Sequence, residues 1–332
     1  MKPRDFLPFL LPTTISAAVT PRLPRQQQQP LALLHTLPSD PAAAAGSSNS
    51  RLLAASTQTQ AKPNDESTQG GAVLRPPGGG ITSAHATLRI PPAAPPTTGP
   101  TAGNTVGVYA ASFWVGIDTG TATIGGTTTG SGSGATTSGC GGAVRAGVDV
   151  FWDGTVGGEQ RPFLWYQFLD RGQSGKGAVG FEELGGKTGD LVRFTLTSSD
   201  SSDASSPAVV VVLAENFGGN VTCADAPGVE PVTSVKEVLP MAAGGTGLCG
   251  GEAVWAVEDP PLAGVPGVPV AFANFTSVAF GGAGVTLWDG NQKGVAEADV
   301  LDIRQQAQGG RLTSCEVVGG KKVKCTRVVG DD

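Results

Sequence analysis

A carboxylate suited to proton transfer closes the stretch Leu248-Cys-Gly-Gly-Glu-Ala-Val-Trp-Ala-Val-Glu-Asp259. From Glu252 to Glu258 the residues alternate with the two-residue period of a strand. Ala253, Trp255 and Val257 share one face, and Glu252, Val254, Ala256 and Glu258 share the other. If that second face lines a cleft, partial desolvation lets Glu258 hold or release a proton at a useful pH. On spacing alone Glu258 also reads as a solvated acid at a strand end, just before Pro260 and Pro261.

Three other segments carry polar groups on a strand period. Ala111-Ser-Phe-Trp-Val-Gly-Ile-Asp118 puts Ala111, Phe113, Val115 and Ile117 toward a core and Ser112, Trp114, Gly116 and Asp118 outward. Ala143-Val-Arg-Ala-Gly-Val-Asp149 turns Val144, Ala146 and Val148 inward and Ala143, Arg145, Gly147 and Asp149 outward. In Trp165-Tyr-Gln-Phe168, Trp165 shares a face with Gln167. If these strands are neighbours, one sheet face gathers Trp114, Asp118, Arg145, Asp149, Trp165 and Gln167, together with Glu258. A concave face with aromatics and paired acids suits an extended polymer, peptide or glycan. A solvent face with ordinary ion pairs, such as Arg145 with Asp149, is the alternative.

The elements that must position these residues are strands. The chain has 332 residues, of which 50 are glycine and only 15% are charged, and it lacks a long helix-period segment. Strand patterns fall at 71–74, 86–90, 108–117, 143–151, 163–168, 191–197, 208–213, 253–257, 268–280 and 300–303, with a hairpin at 315–325. Gly, Pro, Ser and Asp separate them. So many short strands predict an all-β domain with two antiparallel sheets packed as a sandwich. The Gly/Thr/Ser tract between Asp118 and Cys140 reads as a flexible loop.

Composition excludes several kinds of chemistry. A net charge of −6 argues against nucleic acid as a partner. No apolar run is long enough to span a membrane. The two histidines, His35 and His85, leave little for a Ser-His-Asp triad and too few ligands for a histidine-rich metal centre. The five cysteines form no CxxC pair. Neither metal nor cofactor is expected, and a monomer is the default expectation.

Residues 1–19 have a basic start, a short apolar stretch and small residues, the outline of a secretory signal. Residues 20–66, rich in Pro, Gln, Ala and Ser, read as a disordered, removable pro-segment, leaving one domain over 67–332. The sequons at Asn220 and Asn274 suit a secreted chain. Cys315 and Cys325 flank a hairpin turn, where a disulfide fits that compartment. Cys140 and Cys249 would pair across a long loop, leaving Cys223 over; sequence does not fix the connectivity.

In order along the chain, Ala111-Ser-Phe-Trp-Val-Gly-Ile-Asp118, Ala143–Asp149, Leu164–Phe168, Gly189–Arg193, Ala214-Glu-Asn216, Cys249–Asp259, Ala271–Phe280 and Ala298–Ile303 resemble eight motifs of the glutamic peptidases, or eqolisins. These are secreted fungal acid endopeptidases, such as scytalidoglutamic and aspergilloglutamic peptidase. The resemblance runs from about residue 69 to the C-terminus. It implies a concanavalin A-like jelly roll of two seven-stranded antiparallel sheets, a signal peptide and a removed pro-segment. It makes a polypeptide the substrate and pairs Cys140 with Cys249. It makes Glu258 the base toward water and then the acid toward the leaving amine. Arg145 falls where the family has its catalytic glutamine, and Trp114, Asp118, Asp149 and Gln167 fall at substrate-binding positions.

The same comparison shows departures. Arginine has donors but no acceptor, so Arg145 can stabilise an oxyanion but cannot orient a water as an amide would. A guanidinium beside Glu258 is also expected to lock it in an ion pair. Gln167 replaces a family glutamate, and Gln69 replaces the tryptophan of an N-terminal motif. The leading expectation is a secreted glutamic-type endopeptidase. A non-catalytic protein binding peptide or glycan on the same face is the alternative. A glycan hydrolase using Asp118, Asp149 and Glu258 is a third reading.

Overall fold

The computed structural model describes residues 67–77, 80–95, 109–118, 142–152, 161–170, 177–199, 209–222, 224, 229–240, 248, 250–260, 270–305 and 310–329. The signal and pro-segment readings over 1–66, the Gly/Thr/Ser tract, and Cys140, Cys223 and Cys249 lie outside those residues. Eighteen strands, numbered in chain order, account for the regular structure, and no helix occurs among the described residues.

The first sheet runs β14 (Asp299–Leu301), β1 (Gln69–Leu74), β10 (Glu252–Glu258), β3 (Tyr109–Asp118), β4 (Gly142–Trp152), β5 (Phe163–Asp170), β6 (Val179–Gly180). An eighth strand, β11 (Ala271–Phe272), pairs with β3 in parallel. The second sheet runs β17 (Thr313–Val318), β18 (Lys322–Arg327), β12 (Ser277–Leu287), β2 (Ile81–Arg89), β7 (Leu191–Ser199), β8 (Val209–Asn216), β9 (Thr233–Pro240), with β13 (Gln292–Gly294) beside β12. A small ribbon pairs β15 (Arg304–Gln305) with β16 (Gly310–Arg311). The expected sandwich is present, with eight strands in each large sheet where the resemblance implied seven. The extra members are the short strands β11 and β13, attached beside the main seven-strand paths.

Alternation explains the packing. Ala111, Phe113, Val115 and Ile117 of β3, and Val144, Ala146 and Val148 of β4, join the main core with Ala253, Trp255 and Val257 of β10. From the second sheet Leu88, Phe194, Leu196, Phe280 and Val285 enter the same core. Burial of this apolar surface between the sheets drives the fold. The outer face of the first sheet holds a second apolar cluster of Val73, Trp114, Trp165, Val254 and Ala256. A sheet face turned away from the core is ordinarily polar, so this cluster marks the face as unusual. Cys315 and Cys325, opposite one another on β17 and β18, form the expected disulfide.

Candidate active site

Strand order brings the sequence candidates together. β10, β3, β4 and β5 are consecutive neighbours. Glu258 lies opposite Ser112, and Ser112 opposite Asp149, in one row across three strands. The next row places Ala256, Trp114, Gly147 and Trp165 side by side. One row further, Val254, Gly116, Arg145 and Gln167 align. Asp118 pairs through its backbone with Glu252 at the end of β3; its side chain lies outside the described set.

Glu258 is half-buried, and its Oε2 accepts a hydrogen bond of 2.7 Å from Trp114 Nε1. That indole is fully buried. Its other role is as a platform: the Arg145 guanidinium sits over the ring, 4.4 Å from the centroid. The expected ion pair is therefore replaced by a relay through one side chain. Among the described residues the hydrogen-bond partner of the Glu258 carboxylate is Trp114, and Arg145 stacks on that tryptophan rather than on the carboxylate. A cation on an indole face is attracted to the ring and polarises its N–H toward the acceptor.

Glycine makes this contact possible. A Cβ on Gly147 would lie 2.6 Å from Trp114 Cβ and 2.3 Å from the Phe113 carbonyl oxygen. With no side chain at Gly147, β4 packs closely against β3 at Trp114, and the far edge of the Trp114 ring reaches over Gly116, where a Cβ would lie 2.9 Å from Cζ3.

Asp149 is fully buried beside this row. Its Oδ1 accepts from Ser112 Oγ at 2.6 Å and from Trp165 Nε1 at 2.8 Å. Two carboxylates on one face are thus each held by an indole N–H, one buried and one partly open. Gln167 is buried, whereas Arg145 keeps partial exposure. His85 lies on β2 in the opposite sheet.

The far end of Glu258 is anchored by residues that strand patterning does not single out. The amide of Asp259 donates to Thr68 O at 2.8 Å, and Gln305 Nε2 donates to Asp259 Oδ2 at 2.9 Å. Burial pushes the Arg327 guanidinium down to about 10, opposed by the charge of Asp259. Arg327 therefore stays cationic across the acid and neutral range. Sequence reading also passed over Gln69 as a site residue. It lies directly opposite Glu258 on β1, a register that only the strand order reveals.

The outer face of the first sheet of this sandwich thus carries a half-buried glutamate held by an indole N–H. The model of the Peptidase A4 family matches residues 67–327, and the chain belongs to that family, the glutamic peptidases. No curated protein matches the chain.

Proposed function

We propose that this protein is a secreted endopeptidase of the glutamic type, active in acid, in which Glu258 activates the hydrolytic water. The observation that carries the reading is the 2.7 Å hydrogen bond from buried Trp114 to half-buried Glu258. A fixed indole donor orients one carboxylate oxygen, and Oε1 has no protein partner among the described residues. A general base needs this combination of fixed position and a free acceptor.

In the reaction, Glu258 takes a proton from water as the water oxygen bonds to the scissile carbonyl carbon. The carbonyl electron pair moves onto its oxygen. On collapse the C–N bond breaks and Glu258 returns the proton to the departing amine. Asp149, Ser112 and Trp165 act beneath the surface, fixing the strands that present Trp114.

Arg145 favours a second reading, a protein that binds peptide or glycan on this face without cleaving it. A donor-only side chain stands there on Trp114. Cleavage of an acid-denatured protein separates the two. Incubation at about pH 2–6, a range that brackets ordinary carboxyl ionisation, should yield internal fragments with new amino termini. Retention of the substrate intact, with saturable binding, would favour the binding protein.

A further inference from the structure

We infer that Gln69 is the second catalytic group of this site, supplying the amide that works with Glu258. The inference rests on the peptidase reading above. Gln69 and Glu258 are Cα partners on the adjacent antiparallel strands β1 and β10. The amide of Asp259 donates to Thr68 O, so the backbone hydrogen bond lies one residue outside the Gln69–Glu258 pair. That makes it a non-hydrogen-bonded pair, the closer of the two kinds, with Cα atoms about 4.5 Å apart and side chains in contact range.

Both side chains emerge on the same face. Val73, four pairs further along β1, and Ala256 and Val254 of β10 belong to the outer cluster with Trp114. Ala72 and Leu74 point the other way, into the main core. Gln69 shares the parity of Val73 and therefore stands beside Glu258 on the outer face. Trp114 flanks the carboxylate from the β3 side, and Gln69 flanks it from the β1 side.

Gln69 is half-buried, and its side-chain amide makes no hydrogen bond among the described residues. Its backbone is fixed by Ser67, whose Oγ donates to Gln69 O at 2.6 Å and accepts from Gln69 N at 3.2 Å. The position is therefore held while the amide stays available.

An amide suits the step that arginine cannot perform. Gln69 Oε1 accepts one hydrogen of the attacking water while Glu258 takes the other as a proton. Gln69 Nε2 donates to the carbonyl oxygen as it gains the electron pair. Nothing but water is consumed, and the products are a carboxylic acid and an amine. Arg145, two rows away on the Trp114 face, acts through the indole and is a positioning residue.

The test compares wild type, Gln69→Ala, Gln69→Glu, Arg145→Gln and Glu258→Gln by steady-state kinetics on one peptide, with thermal melts for every variant. Gln69→Ala is expected to lower kcat about 10²-fold, the usual effect of losing one such donor. Its KM should be little changed and its melt should match wild type. Arg145→Gln should change kcat less than tenfold. Gln69→Glu should keep activity only on the acid side of the wild-type profile, because a carboxyl at that position must hold a proton to donate. A merely structural glutamine would not move the pH profile in this way. If wild type cleaves, Glu258→Gln does not, and Gln69→Ala stays within about threefold in kcat, Gln69 is excluded and the peptidase reading stands. Wild-type protein without cleavage, or Glu258→Gln with full activity, overturns both.

Discussion

Trp114 is the residue on which the site's geometry converges, because one indole holds Glu258 at its edge and Arg145 on its face. Hydrogen bonds to charged groups contribute about 1.5–3 kcal/mol, so loss of the N–H should misplace the base. Trp114→Phe is expected to lower kcat about tenfold or more while the protein still folds, measured by kinetics beside a circular-dichroism melt. Equal kcat in the two proteins would remove Trp114 from the mechanism. At this scale the sequence was informative where one strand sufficed. Two-residue alternation put Trp114, Arg145, Asp149 and Glu258 on outward positions, and the sheet order placed them on one face. Alternation could not show that Arg145 stacks on an indole instead of pairing with Glu258, nor that Gln69 stands opposite the base. Both depend on register between segments distant in the chain.

Among the elements, β4 matters most for the site because Gly147 lets it approach Trp114 of β3 closely and because it carries Arg145 over that ring. Gly147→Ala would place a methyl group 2.3 Å from the Phe113 carbonyl oxygen. The strands would have to separate, costing roughly 3 kcal/mol or more by overpacking. The variant should melt well below wild type and lose activity together with the Trp114 contact; a wild-type melt would show that β3 and β4 yield easily there. Element boundaries show where patterning stops working. The apolar run over 268–280 reads as one strand but divides into β11 and β12, with Thr276 at a φ of 59° between them. β12 then continues through Gly281 and Gly282, which resemble a loop in sequence yet form a bulge against β2. β9 was missed altogether. Among the described residues it is an edge strand paired only with β8, its Lys236 and Glu237 dilute the apolar signal, and edge strands commonly carry charge.

For the molecule as a whole, the proposed activity in acid requires that the sandwich tolerate carboxyl protonation, and one turn reports on this directly. Asn291 donates through its backbone N–H to Asp289 Oδ1 at 2.9 Å and through Nδ2 to Oδ2 at 2.7 Å. The backbone bond first, and the side-chain bond second, hold the Asp289 carboxyl below its ordinary 3.8. A depressed carboxyl stabilises the fold above its unfolded value, and that contribution is lost as pH falls through the folded value. Asp289→Ala should therefore lower the melting temperature at neutral pH, with the difference shrinking below 3.8. A difference that is constant from neutral pH down to about pH 2 would mean that the ionised carboxyl is not what steadies the turn. The all-β class and the two-layer architecture were legible from composition and strand spacing. The connection that makes a site of them was not, because β10 inserts between β1 and β3 from far along the chain.

The central claim is that Glu258 moves the proton in peptide hydrolysis, and Glu258→Gln tests it most directly. The substitution keeps the size of the side chain and its capacity to accept from Trp114, and it removes the base. The account predicts wild-type folding, substrate binding close to wild type, and cleavage in acid reduced by about 10³-fold or more. Cleavage by Glu258→Gln within about threefold of wild type would contradict it.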